Sequence, residues 1–244
     1  MLIKKLGTET SAVIDVEIPS QGVLVKEIHK DATIKIDFVK DKSNDTNVIP
    51  EMPVSQLVSI NQKIAIRTRI VKLTAGTGLY ESVVFLFATN GVLDLSEDDF
   101  YRITIKNKGS ELTEFHNIDH TRIGQPILVQ KGKVRDTDTE KVERLYNVTE
   151  LMFPDRLPTK LTHVVDNGID PVSRRKRTRK VTISPEQIQA FNEEYRINTV
   201  NGSGTFSVDT ANPVFPVRGL DEVTVHNDTS EGTDLNYFKI LTKK

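Results

Sequence analysis

The sequence predicts an all-β protein built as two tandem units with one or two short helices. Three observations carry that reading: apolar residues recur with period two, turn signals separate the resulting segments, and strand candidates fall about equally in both halves of the chain. Ile14, Val16 and Ile18 alternate with Asp15 and Glu17, and Ile34, Ile36 and Phe38 alternate with Lys35 and Asp37. Ile64, Ile66 and Ile70 are set against Lys63, Arg67 and Arg69, and Tyr101–Lys106 repeats the rule. Successive side chains of a strand point to opposite faces, so each segment has one buried and one wet face.

Strands are expected near 12–18, 23–29, 33–40, 54–60, 63–73, 79–88, 101–107 and 126–130 in the first half. In the second half they are expected near 143–153, 160–166, 178–183, 195–200, 205–209, 214–218, 221–226 and 235–243. Turn chemistry lies at Asp41–Asp45, Thr74–Gly78, Asn107–Gly109, Asp166-Asn167-Gly168 and Asn201–Gly204. Many short, evenly spaced strands indicate a sandwich or barrel.

Two stretches read as helical. Ser184-Pro185-Glu186-Gln187 offers a hydroxyl cap, a first-turn proline and a glutamine placed to close a capping box. Ile188, Phe191 and Tyr195 then recur at helical spacing, which ends the helix near Glu194. Ser96–Asp99 reads as a shorter version. Each precedes an aromatic-Arg-Ile strand, Tyr101-Arg102-Ile103 and Tyr195-Arg196-Ile197, which suggests similar domains divided near His120–Pro126.

Composition narrows the function. The longest apolar run, Val83–Ala88, is far below the roughly 20 residues of a membrane span, and the opening Met1–Thr10 lacks the apolar stretch of a secretory signal. A soluble protein made in a cytoplasm is expected. With no cysteine, disulfides, thiolate zinc and thiol nucleophiles are excluded. Net charge is −1, so no global field attracts nucleic acid.

The sharpest local feature is Ser173–Lys180, where Arg174, Arg175, Lys176, Arg177, Arg179 and Lys180 are all basic. Setting those six charges aside takes the net charge from −1 to −7. A contact with phosphates of lipid or nucleic acid is one reading, and a solvated loop salt-bridged to a neighbouring subunit is the other. No interleaved aromatic offers base stacking.

Other clusters are weaker. His116 and His120, with Glu114, would sit about 13 Å apart in a strand, too far for one metal ion. Asp136–Glu140 has hard oxygen ligands but not the spacing of a calcium loop. No nucleophile elbow or phosphate loop occurs. Glu193 and Asp136 are the acids a glycosidase reading would test. No catalytic, metal or cofactor residue is assigned, and the protein is expected not to be an enzyme.

Two sets of about eight strands, the helix Ser184–Glu194, its shorter counterpart at Ser96–Asp99 and the missing cysteines resemble the double jelly-roll major capsid proteins of small icosahedral, membrane-containing bacteriophages. That resemblance implies two eight-stranded jelly rolls, 1–124 and 125–244, and a homotrimer forming a pseudo-hexameric capsomer. It implies neighbouring capsomers and penton or vertex proteins as partners, and a virion location after synthesis in the host cytoplasm. The basic run would face an internal lipid membrane, the genome or a neighbouring tile. Leu151–Pro154 and Asn212–Val217 are candidates for lateral contact, or else ordinary core and edge strand. The alternative is a phage spike, baseplate or adhesin-type β-sandwich, binding a surface glycan or protein through loop tips such as Asp41–Thr46 or Thr74–Gly78. Such a module would have one continuous core or unrelated halves.

Overall fold

The computed structural model describes residues 2–6, 11–41, 44–64, 71–74, 77–89, 91–93, 95–106, 113–118, 122–194, 197–201, 206–209 and 212–242. Strands dominate it. In the first half they are β1 (Leu2–Leu6), β2 (Ser11–Val16), β3 (Gly22–His29), β4 (Thr33–Lys40), β5 (Asn44–Pro53), β6 (Val71–Thr74), β7 (Leu79–Leu86), β8 (Ala88–Thr89), β9 (Phe100–Lys106) and β10 (Thr113–Ile118). There follow β11 (Gln125–Val134), β12 (Glu140–Arg144), β13 (Val148–Met152), β14 (Lys160–Ile169), β15 (Lys176–Ile183), β16 (Ile197–Asn201), β17 (Phe206–Asp209), β18 (Val214–Pro216), β19 (Glu222–His226) and β20 (Leu235–Thr242). Two α-helices interrupt them, α1 (Val54–Ile64) and α2 (Pro185–Glu194). The all-β expectation holds.

The chain divides into two compact units. The first comprises Met1–Gln130, Arg196–Ala211 and Leu241–Lys244, and the second Lys131–Tyr195 and Asn212–Ile240. In the first unit one sheet runs β1-β10-β3-β7-β6-β16-β17 and the other β2-β9-β4-β5. Its core is the inward half of the alternation: Ala12, Ile14 and Val16 are buried in β2, where Ser11, Val13 and Asp15 face out. Phe87 stacks on Tyr101 at 4.4 Å between ring centres.

The second unit carries the sheet β12-β19-β14-β15. The remaining sheet runs β8-β11-β20-β13-β18, and its β13, β18 and nearly all of β20 belong to this unit. Leu151, Met152, Phe153, Val214, Val217, Val223, Val225, Tyr237 and Ile240 form its core.

Strand order is the same in the two halves of the chain. β2-β9-β4-β5 has its counterpart in β12-β19-β14-β15, and β1-β10-β3-β7 in β11-β20-β13-β18. Each helix directly follows the matching hairpin, α1 after β5 and α2 after β15. The match extends to register. Val13 lies opposite Thr104 and Val142 opposite Thr224, while the neighbouring pair Asp15–Arg102 is answered, with charges exchanged, by Arg144–Glu222.

Three sequence expectations are corrected here. Residues 54–60 and the start of 63–73 form α1, not strands. The β-branched Val54, Val58 and Ile60 suggested extended chain, but Val54, Leu57 and Val58 follow helical spacing and are buried. Backbone carbonyls cap α1, with the N–H groups of Val54 and Ser55 donating to Ala32 O and Lys30 O at 2.8 and 3.0 Å. Ser96–Asp99 is a single turn rather than a helix, closed by the Asp99 N–H donating to Ser96 O at 3.0 Å, and the Asp99 carboxylate accepts the Asp41 N–H. The repeat therefore aligns α1 with α2, and β9 with β19. Asp166-Asn167-Gly168 does not reverse the chain: it forms a bulge inside β14, with Gly168 at φ 84°.

The expected cap of α2 is present. Gln187 N–H donates to Ser184 Oγ at 3.3 Å, and Ser184 N–H donates to Gln187 Oε1 at 2.8 Å. Ser184→Ala should cost about 1 kcal/mol of unfolding free energy in a urea titration.

Candidate functional site

The basic run lies on the β14–β15 hairpin at the border of its sheet. β14 and β15 pair antiparallel from Leu161–Ile183 at the root to Ile169–Lys176 near the tip. Leu161 and Thr162 are buried at the root, whereas every residue from Pro171 to Lys180 is exposed. His163, Val165, Val181 and Ile183, at and above the root, are still half-buried.

Asp170 builds the tip. Its carboxylate accepts the N–H groups of Val172 and Ser173 at 2.8 and 2.7 Å and the Arg177 Nε–H at 2.8 Å. The Ser173 N–H, then Arg177, then the Val172 N–H hold the Asp170 pKa down at about 2. Arg174 N–H donates to Asp170 O, and Asp170 N–H to Arg175 O, both at 2.8 Å, which places Arg174 at φ 53° in the left-handed region. Lower on the arm, Lys176 meets Asp166 at 2.9 Å, and that contact lowers the Asp166 pKa.

These two ion pairs engage Lys176 and Arg177. Arg174, Arg175, Arg179 and Lys180 have no acidic partner among the described residues. Three aliphatic side chains stand exposed beside them: Val164 by 55%, Ile169 by 70% and Val172 by 91%. β15 is also the outer strand of its sheet, where Lys and Arg disfavour pairing with another chain's edge.

The other sequence candidates separate widely. His116 lies in β10 with Glu114 at 3.1 Å, while His120 is outside the described residues. Asp136 is an exposed loop residue whose N–H donates to Asp234, and Glu193 belongs to the last turn of α2. Among the described residues, no group of three His, Asp or Glu is close enough to hold a metal ion. In the segment Asp41–Thr46, Asn44–Thr46 belongs to β5 rather than to a loop tip. Leu151–Phe153 and Val214–Val217 are core and edge strand: β13 and β18 pair with each other, and Pro216 ends β18 at the sheet border.

One constellation gave no sequence signal. Glu143, buried in β12, accepts a hydrogen bond from the Tyr237 hydroxyl and meets Lys141 at 2.7 Å and Lys239 at 3.1 Å. Burial raises its pKa, but Lys141, the Tyr237 hydroxyl and Lys239 outweigh burial and hold it below the usual range. Burial, then Glu143, raises Tyr237. Every Glu143 oxygen is engaged, so the cluster holds the core together.

No protein-family model and no curated protein matches the sequence. Among solved structures, the chain is similar to the major capsid protein P2 from bacteriophage PM2. Identity is 7% and the TM-score 0.48, covering 100% of this chain and 95% of that one. The resemblance expected from the sequence, to phage major capsid proteins, is the likeness found. A putative secreted protein from Eubacterium rectale matches at 10% identity and a TM-score of 0.23, over 96% of this chain and 70% of that one.

Proposed function

We propose that this protein is the major coat protein of an icosahedral phage virion. In this reading two tandem jelly rolls, 1–124 and 125–244, assemble as trimeric, pseudo-hexameric capsomers. The observation that carries the reading is the matched winding of the two halves. In each half the first four strands alternate between sheets, a hairpin follows within one sheet, and late strands lodge between early ones, as β9 does between β2 and β4 and β19 between β12 and β14. A jelly roll winds in this way. Related halves also weigh against the adhesin-type alternative, which calls for a single core or unrelated halves.

Assembly is then the function, and chemistry plays no part. Partners are further copies in the trimer, neighbouring capsomers and vertex proteins. The protein is made in the host cytoplasm and ends in the virion. Large assembly interfaces bury about 2,000 Å² or more, and matched outer sheets would give each chain two similar faces for such contacts.

Light scattering during size-exclusion chromatography tests this directly. The expected species has three times the 27.5 kDa chain mass, growing to larger shells on concentration. A chain that remains monomeric at high concentration would overturn it.

A further inference from the structure

We infer that the β14–β15 arm docks on an anionic lipid surface, its aliphatic tip entering the headgroup layer while the flanking cations meet lipid phosphates. The arm combines two features that seldom stand together on a solvated surface. Ile169 and Val172 are exposed at its end, where no core lies beneath them to cover them. Arg174, Arg175, Arg179 and Lys180 follow on the tip and β15, with no acidic partner among the described residues. Apolar residues set against a cationic strip are the composition of an interfacial membrane contact.

Charge and apolarity divide the work. Each Lys or Arg held near an anionic leaflet is worth about fivefold in partitioning, and four together exceed what one aliphatic side chain supplies. Nucleic acid would use the cations but gains nothing from Ile169 and Val172, and the arm has no Phe, Tyr or Trp on which a base could stack. Another chain's sheet edge is disfavoured by the Lys and Arg side chains along β15. Asp166 and Asp170 neutralise only Lys176 and Arg177, and in doing so they stiffen the tip.

The test is co-sedimentation of the full chain with vesicles, one set of phosphatidylcholine alone and one containing phosphatidylglycerol. Binding is expected to the anionic vesicles only and should weaken as salt rises. Replacing Arg174, Arg175, Arg179 and Lys180 together by Gln should reduce it by roughly six-hundredfold. The pair Ile169→Ser and Val172→Ser should reduce it by roughly tenfold with the cations intact. These side chains are exposed, and circular dichroism of each variant verifies that the fold is kept. Equal binding to both vesicle types, or no effect of the serine pair, overturns the inference. So does tight binding of an oligonucleotide that only the Gln variant loses. A Gln variant with altered oligomeric mass, in a protein that ignores vesicles, identifies the arm as a contact between copies and also overturns it. Because vesicle binding is read separately from mass, the coat-protein reading stands or falls independently.

Discussion

Glu143→Ala is expected to destabilise the protein by about 3 to 5 kcal/mol, the range for removing one partner from a buried charge network. Its side chain is only 7% exposed and neutralises Lys239, itself only 19% exposed, as well as Lys141 at the margin. Alanine would leave the Lys239 ammonium and the Tyr237 hydroxyl buried without their acceptor. For a chain of this size the melting temperature should fall by roughly 10 °C. Glu143→Leu combined with Lys239→Met and Tyr237→Phe should recover most of the loss, because both buried charges and the orphaned hydroxyl then go together. The pH dependence has a definite sign. The folded Glu143 pKa lies below that of an ordinary glutamate, so its contribution is complete above the ordinary value and is lost as pH falls through the folded one. Calorimetry of the wild type and Glu143→Ala from pH 7 downward should show the two stabilities converging in acid.

Gly132→Ala should cost about 3 kcal/mol through overpacking against the same tyrosine. A Cβ at residue 132 would lie 2.2 Å from Tyr237 Cε2 and 2.6 Å from Cζ. An exposed ring would swing away, but Tyr237 is 1% exposed, hydrogen-bonded to Glu143 and packed against Phe153 at 6.0 Å between ring centres. The expected signature is non-additive. In a Tyr237→Ala background the space is empty, and Gly132→Ala should cost well under 1 kcal/mol. Equal costs in both backgrounds, measured by denaturant unfolding, would refute this packing account.

Much of the fold was legible because half-buried strands write their two faces directly into the chain. β2, with Ala12, Ile14 and Val16 inward, is the clearest example. β5 was not, because Asn44–Pro53 carries two prolines and no alternation. It is a border strand, held by pairing with β4, where proline is tolerated. β10, with the polar sequence Thr-Glu-Phe-His-Asn-Ile, sits between β1 and β3 and takes its structure from them. α1 was hidden by β-branched residues whose packing overrides their extended preference. The basic run was plain as charge. Its place on an exposed hairpin end was not, since the true reversal depends on Asp170 accepting backbone N–H groups that no turn dipeptide announces. The Glu143 network joins residues almost a hundred positions apart, and spacing along one sequence carries no trace of such a meeting.

The placement of β16 has a consequence for how the chain matures. This strand pairs in parallel with β6, Thr199 opposite Val71, and β17 closes the outer side, so the first unit borrows its last two strands from late in the sequence. A nascent chain that has just emerged through Gln130 holds β6 with an unclosed border. At ribosomal speeds it waits on the order of ten seconds for residues 196–211 to arrive. During that interval the exposed strand can recruit a neighbour's, so growing chains on one messenger are at greatest risk of tangling before release.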